Sequence, residues 1–275
     1  MKKLIPSITI LIILFFGVRV NANNGEYSIH FIDVGQEDCI LIKGQEKSYL
    51  IDTARKESSK KVIEYLNKQG VNKLNTVIVT HYHDDHYGGL NNILQQKLVD
   101  KVILPAHQPQ IRDELFSYLT GQNIKIGYAD EDFEIKDKNI AIKALLTKRE
   151  DLEVENNNSI VLTGEIDGIA YLFGSDIEMQ REREILNSSE LKKCDVLKVP
   201  HHGLNTSSTE AFIKALSPRV MVITSDGIES PEKEVMKRYS KLDGIIFRSD
   251  LQGHVVIIGN PGNKSIEINC SKVLK

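Results

Sequence analysis

The run Thr80-His81-Tyr82-His83-Asp84-Asp85-His86-Tyr87-Gly88-Gly89 constrains this chain more than any other stretch. It sets three imidazoles and the Asp85 carboxylate within six residues, directly after the β-branched run Thr76–Thr80. Imidazole nitrogen and carboxylate oxygen suit zinc and similar divalent ions. His81 and His83 stand where a strand opens into a turn, so their rings can converge on one ion. Asp85 and His86 follow as the chain curls into a helix and can face a second ion. The alternative, a polar loop that happens to hold histidines, explains neither the spacing nor the strand-to-helix setting.

Residues 1–22 read as a separate object. Lys2 and Lys3 form a basic start, Leu4 to Val18 is mostly apolar, and Val20-Asn21-Ala22 offers a small-residue cleavage site. That is the pattern of a Sec signal peptide. An uncleaved anchor is the second reading, although the apolar run is short for a bilayer span of about 20 residues. The expected mature chain, residues 23–275, suffices for one domain with a substantial core. It would be secreted or periplasmic, with no stable membrane insertion after cleavage. Loss of Lys2, Lys3 and Arg19 lowers the basic count from 35 to 32 against 38 acidic residues, a net charge of −6. A broad basic face for nucleic acid is therefore not expected. Cys39, Cys194 and Cys270 are far apart and odd in number, so no disulfide framework or cysteine metal site is expected. Cys39 and Cys194 lie in apolar runs, whereas Cys270 near the end is a candidate for exposure.

Short β-rich runs alternate with amphipathic segments. Strands are expected at 27–33, 38–43, 48–52, 76–80 and 101–104, with helices at 56–69, 85–96 and 110–120. The second half repeats the plan with strands at 124–128, 133–135, 140–145, 159–165 and 169–173, the last two joined across the hairpin signal Asp167-Gly168. Further strands are expected at 195–199, 219–224, 245–248, 254–258 and 265–269. A helix is expected at 178–187. Ser207 to Glu210 matches a capping box for a helix through Leu216, and Ser230-Pro231 suits the start of another to about Leu242. Two β-rich halves, each followed by helices, suggest an α/β chain with four αββα layers. The loops carrying His81–His86, Asp176 and His201-His202 all leave strand ends and can share one edge.

His201-His202 follows the apolar run Asp195–Val199 and precedes Gly203. One of the pair is a candidate ligand, the other a hydrogen-bonding ring. Asp176 ends a buried apolar run, where a carboxylate is costly unless paired or bound to metal. Its two oxygens can also bridge two cations, although a helix N-cap accounts for it as well. Asp52 ends Tyr49-Leu50-Ile51 in the same manner and suits a role holding a histidine ring. Asp33 and Asp38 flank Gly35, where turn formation explains them as readily as contact with substrate or ligands.

Taken in order, Asp33-Val34-Gly35-Gln36-Glu37-Asp38, Leu50-Ile51-Asp52-Thr53, the histidine run, Asn157-Asn158-Ser159, Gly174-Ser175-Asp176 and Val199-Pro200-His201-His202-Gly203 resemble the metallo-β-lactamase fold. The branch they resemble is the one found as the soluble domain of ComEC-type competence proteins. The resemblance covers nearly the whole expected mature chain and implies a four-layer αββα metallo-β-lactamase sandwich. It implies two divalent ions, zinc or manganese, with His81 and His83 on one, Asp85 and His86 on the other, and Asp176 as bridge. His201 or His202 would complete a shell, while Asp33, Asp38, Asp52 and Asn158 would support ligands or substrate. Two ions about 3.5–4 Å apart generate a nucleophile at neutral pH. Asp85 and His202 are the candidate catalytic residues, with a metal-bound water or whichever of His201 and His202 is not on metal supplying the leaving-group proton.

The branch implies phosphodiester cleavage, with short or single-stranded nucleic acid as one substrate. A phosphocholine esterase, a lactonase, another small-ester hydrolase or a non-catalytic metal-binding interaction module are the alternatives. Four positions depart from the pattern. The Asn158-Ser159 region stands where many members carry a histidine, Glu37 replaces a glycine, Ser175 separates Gly174 from Asp176, and Ser230-Pro231 replaces His-Pro.

Overall fold

The structure is a computed structural model and describes residues 10–12, 27–129, 133–145, 150–188, 190–260 and 265–272. The segment read as a signal peptide lies outside the described residues except for Ile10–Ile12, a short edge strand parallel to Ser265–Cys270.

Two sheets form the centre. Among the described residues the first runs Ile10–Ile12, Ser265–Cys270, Val255–Asn260, Ser28–Phe31, Ile40–Lys43, Ser48–Ile51, Thr76–Ile78, Lys101–Leu104, Lys125–Tyr128. The second runs Glu134–Asp137, Ile140–Leu145, Val161–Ile166, Ile169–Phe173, Val196–Lys198, Val220–Ile223, Ile245–Arg248. Apart from the parallel edge strand Ile10–Ile12, each sheet pairs antiparallel up to one strand and parallel beyond it. The change falls at Ser48–Ile51 in the first sheet and at Ile169–Phe173 in the second. Crevices at the carboxyl ends of strands next to such a switch are where open α/β sheets bind ligands.

Alternation of side chains across each strand sorts the core into layers. Ile29, Phe31, Ile40 and Ile42 of the first sheet meet Leu162, Tyr171, Phe173 and Val222 of the second in one buried cluster. Phe31 and Phe173 lie 6.4 Å apart across it. On the outside of the first sheet, Leu41, Leu50 and Val77 pack against Val62 and Leu66 of helix Ser59–Lys68, Ile93 of Leu90–Gln96 and Leu119 of Pro109–Gly121. Outside the second, Leu172, Leu197 and Met221 pack against Ile185 of Met179–Leu186, Phe212 of Glu210–Leu216 and Val235 of Lys233–Tyr239. The result is the expected αββα order. Full burial of Phe31 makes its truncation to alanine cost about 3–5 kcal/mol.

Several local expectations are corrected. The single helix expected over 85–96 is two, Asp84–Tyr87 and Leu90–Gln96. The break falls where the chain docks on the segment after Asp52: Thr53 N donates to His86 O at 2.6 Å and Gly89 N to Ala54 O at 2.8 Å. A Cβ on Gly89 would stand 2.2 Å from Thr53 O, so only glycine permits this approach. The helix ending at Leu216 is capped by Thr209, whose hydroxyl accepts from Phe212 N, while Ser207 turns back to Pro200 O. Ser230-Pro231, a cis peptide, precedes the last long helix instead of opening it; Glu232 is its N-cap. Cys270 is buried like Cys39 and Cys194, and all three are free thiols. Asp167 and Gly168 both adopt positive φ, 51° and 76°, the type I′ geometry that suits a two-residue hairpin.

Candidate metal centre

Strands from both sheets deliver the centre at one edge. Asp52 leaves Ser48–Ile51, His81 follows Thr76–Ile78, Asp176 follows Ile169–Phe173, His201 and His202 follow Val196–Lys198, and Thr224 follows Val220–Ile223. Asp52, Ser175, His201 and His202 hold left-handed backbone, with φ of 58°, 47°, 47° and 53°. Such a conformation costs a non-glycine residue roughly 1–2 kcal/mol, and its concentration at these strand ends marks the edge as a functional candidate.

The hydrogen bonds of the centre assign its tautomers. Asp52 Oδ1 accepts Thr80 N at 2.7 Å, and its Oδ2 accepts the Thr80 hydroxyl at 2.7 Å. His86 Nδ1 stands 2.8 Å from the same Oδ2 and must donate to it. His202 Nδ1 lies 2.9 Å from Thr224 O, again an acceptor. His81 Nδ1 faces Thr80 Oγ1 at 3.3 Å, and that oxygen already gives its proton to Asp52 while accepting from Ser175. All three rings therefore keep the proton on Nδ1 and present a lone pair at Nε2.

Those Nε2 atoms are buried, and none has a hydrogen bond; Asp176 Oδ1 has none either. His86 Nε2 and His202 Nε2 point at Asp176 Oδ2 from 3.2 and 3.3 Å. Acceptor facing acceptor in a dry site requires a positive charge between them. Protons are one answer. Burial pushes the His86 imidazole down, but Asp176 and Asp52 outweigh it and hold it well above the usual histidine range. Burial acts the same way on His202, and Asp176 again raises it. His81 goes well below that range through burial and the neighbouring His86. A divalent cation is the other answer. Ligand atoms of Asp85, His86, Asp176 and His202 all lie within 4.8 Å of one another. The orphaned lone pairs and this donor set fit such an ion.

Other candidates stand around this core. The His81 ring is 4.8 Å from exposed His83 and 4.0 Å from His86. Asp85 Oδ2 lies 3.9 Å from His202 Nε2 and 3.5 Å from Arg55 Nη2. His201 is placed apart from its neighbour. Its Nδ1 stands 2.7 Å from Thr206 Oγ1, and its Nε2 faces the donating Asn156 amide at 3.3 Å and lies 4.0 Å from Asp176 Oδ2. Of the pair, His202 is the ring that faces Asp176 with a free lone pair.

Asp38, Asp52 and His86 form a second cluster, but its atoms are already engaged. Asp38 Oδ1 accepts the Thr224 hydroxyl at 2.7 Å and Oδ2 meets the buried Lys198 ammonium. Two residues considered near the centre face elsewhere. Asn158 spends its amide on the backbone of Asp151, accepting at 2.7 Å and donating at 2.8 Å. Asp33 pairs with Lys272 at 2.9 Å and Lys61 at 3.8 Å.

A family model described as the metallo-beta-lactamase superfamily matches residues 32–225, which include every strand end described above. The chain belongs to the metallo-beta-lactamase superfamily. Among curated relatives, ComE operon protein 3 of Bacillus subtilis (strain 168) is 25% identical over 270 residues, covering 90% of this chain and 34% of that protein. Competence protein ComA of Neisseria gonorrhoeae is 25% identical over 274 residues, 97% of this chain and 38% of that protein. The chain thus spans about a third of the length of these relatives. Among solved structures, the metallo-beta-lactamase fold protein YhfI from Bacillus subtilis superposes with a TM-score of 0.57 at 14% identity, covering 85% of this chain and 100% of that one. At such identity the likeness speaks for the metallo-beta-lactamase fold alone.

Lys198, Thr80, Thr224, Asn156 and Arg55 belong to the centre or its rim and were not singled out by sequence reasoning. Lys198 carried a signal: a lysine inside the otherwise apolar run Val196-Leu197-Lys198-Val199 must be paired to be buried.

Proposed function

We propose that this chain is an exported, metal-dependent phosphodiesterase, with nucleic acid among its substrates. The observation that carries the reading is the set of three buried imidazoles presenting unpaired Nε2 atoms, two of them aimed at the Asp176 carboxylate. Zinc or manganese held by His81, His83, Asp85, His86, Asp176 and His202 supplies Lewis acidity toward a phosphoryl oxygen and a nucleophile at neutral pH. Asp52 and Thr224 hold the His86 and His202 rings in the tautomer such binding needs.

Asp85, partly open to solvent and 3.9 Å from His202, is the carboxylate placed to take a proton from the attacking water. His201 holds its Nε2 at the rim, 4.0 Å from Asp176 Oδ2, where it accepts from the Asn156 amide. Arg55 puts a half-exposed guanidinium beside Asp85 and favours an anionic ester over a neutral one. Relatives named for competence and for recombination match most of this chain, which favours nucleic acid among phosphodiesters. Export rests on the pattern of residues 1–22, and N-terminal sequencing of the secreted protein tests it.

The functional reading is tested by metal analysis of the purified protein together with hydrolysis of bis-p-nitrophenyl phosphate by wild type and His83→Ala. Two ions per chain and activity lost in the variant are expected. One ion or none, with no hydrolysis after zinc or manganese is added, rejects it.

A further inference from the structure

Lys198 is fully buried, and its ammonium is inside the centre rather than at its edge. It meets Asp38 Oδ2, donates to Ser175 O at 3.2 Å and lies 3.5 Å from Asp176 Oδ1. The same Asp176 oxygen has no hydrogen bond, while its other oxygen faces His86 and His202. The two carboxylates nearest to the ammonium are thus unequal. Asp38 is held by Lys198 and by the Thr224 hydroxyl, whereas Asp176 Oδ1 has no hydrogen bond and meets the ammonium through charge alone. A divalent ion drawing on Asp176 must share that carboxylate with a cation the chain itself supplies.

We infer that Lys198 is a positioning residue, a built-in counter-cation that fills the Asp38 side of the centre and competes with divalent ions for Asp176. Asp38 anchors the ammonium and keeps it from settling wholly on Asp176. The line Lys198–Asp38–Thr224–His202 is continuous, so the group that limits the ion's hold on Asp176 also ties the His202 ring in place. The competition lowers affinity for divalent ions, and the linkage holds their ligands in register.

This inference rests on the metal-centre reading, and its test is built on binding rather than turnover. The full chain is stripped with a chelator, and zinc and manganese affinities are measured by competition with a chromophoric chelator; circular dichroism monitors folding. Lys198→Met removes one positive charge a few ångströms from the ion, so metal should bind at least about tenfold tighter. Asp38→Asn leaves Asp176 as the one carboxylate beside the ammonium, and metal should bind several-fold more weakly. A lysine that merely supported the fold would give weaker binding in both variants.

Should Lys198→Met fail to fold, the double variant Asp38→Asn/Lys198→Met removes the buried pair together, a change proteins tolerate better than breaking one partner. It should bind metal tighter than Asp38→Asn alone. Folded Lys198→Met with equal or weaker affinity than wild type, or a double variant no tighter than Asp38→Asn, overturns the inference. Wild type that binds neither ion takes down the metal-centre reading and this inference with it. Wild type that binds, with variants that do not diverge, overturns this inference alone.

Discussion

Asp52→Asn changes one atom in a buried group and should cost metal affinity through a ring it touches only on the far side. The carboxylate accepts three hydrogen bonds, from Thr80 N, the Thr80 hydroxyl and His86 Nδ1. An amide offers one oxygen and a donating NH₂ group in the same volume. If the amide oxygen keeps Thr80 N, the NH₂ group faces His86 Nδ1, which must then accept. The His86 proton moves to Nε2, where it points at Asp176 Oδ2 from 3.2 Å. The ring changes from metal ligand to hydrogen-bond donor without moving. Losing the partner that orients a ligating histidine typically costs 10–100-fold in metal affinity, about 1.4–2.7 kcal/mol. Chelator competition measures the affinity, and long-range proton–nitrogen correlation spectra of the zinc-loaded protein report which His86 nitrogen carries the proton. Affinity within about threefold of wild type, with His86 still protonated at Nδ1, would refute the tautomer argument.

Three further outcomes are expected. Chelation should lower thermal stability: an ion present at 100 times its Kd contributes about 2.7 kcal/mol, which for a chain of this size is roughly 5–10 °C of Tm, and a Tm indifferent to EDTA would count against a bound ion. Gly89→Ala places a Cβ 2.2 Å from Thr53 O and should destabilise the fold by about 2 kcal/mol or more in urea, with a loss under 0.5 kcal/mol contradicting the close approach. His30 is buried between Ser28 and Tyr65, and burial, then Lys43 and His254, push its imidazole down to about 3. Its folded value lies below its unfolded one, so its contribution is complete above about pH 6.5 and is lost as pH falls toward 3; at pH 5.5 the loss is about 1.4 kcal/mol. His30→Gln should remove that increment from the difference between urea unfolding at pH 7.5 and 5.5, and an unchanged difference would place the acid sensitivity elsewhere.

The parts of this protein that were legible in sequence are those written locally. The histidine run, the apolar strand before it and the Asp-Gly hairpin are each contained within ten residues, and their period or spacing has few competing explanations. The alternation of β-rich runs and helices in two halves specified four layers for the same reason. What was not legible depends on partners far along the chain. Lys198 finds Asp38, His202 finds Thr224, and Thr80 finds Ser175, a separation of 95 residues. Neither the choice between His201 and His202 nor the turning of Asn158 onto Asp151 has a local signature. The break at Gly88-Gly89 is similar: helical periodicity continues through it, and only the backbone of Thr53 and Ala54 interrupts the helix.

These long-range ties place the chemistry and the instability of the fold in the same few residues. Asp52, Ser175, His201 and His202 each hold backbone that costs roughly 1–2 kcal/mol. Asp38, Asp52 and Asp176 are buried carboxylates with one buried ammonium among them. Hydrophobic packing between the sheets holds the strand ends in register, but it does nothing for the unpaired lone pairs of His81, His86 and His202. A cation settles those lone pairs and the surplus negative charge together, and it binds the folded arrangement far better than a chain in which the strand ends have separated. Binding and folding at this edge are therefore one equilibrium. Metal removal should loosen the strand ends at residues 52, 80, 176 and 202 before the inner cluster around Phe31 and Phe173, because the lone pairs gathered there call for a positive charge that apolar packing does not supply.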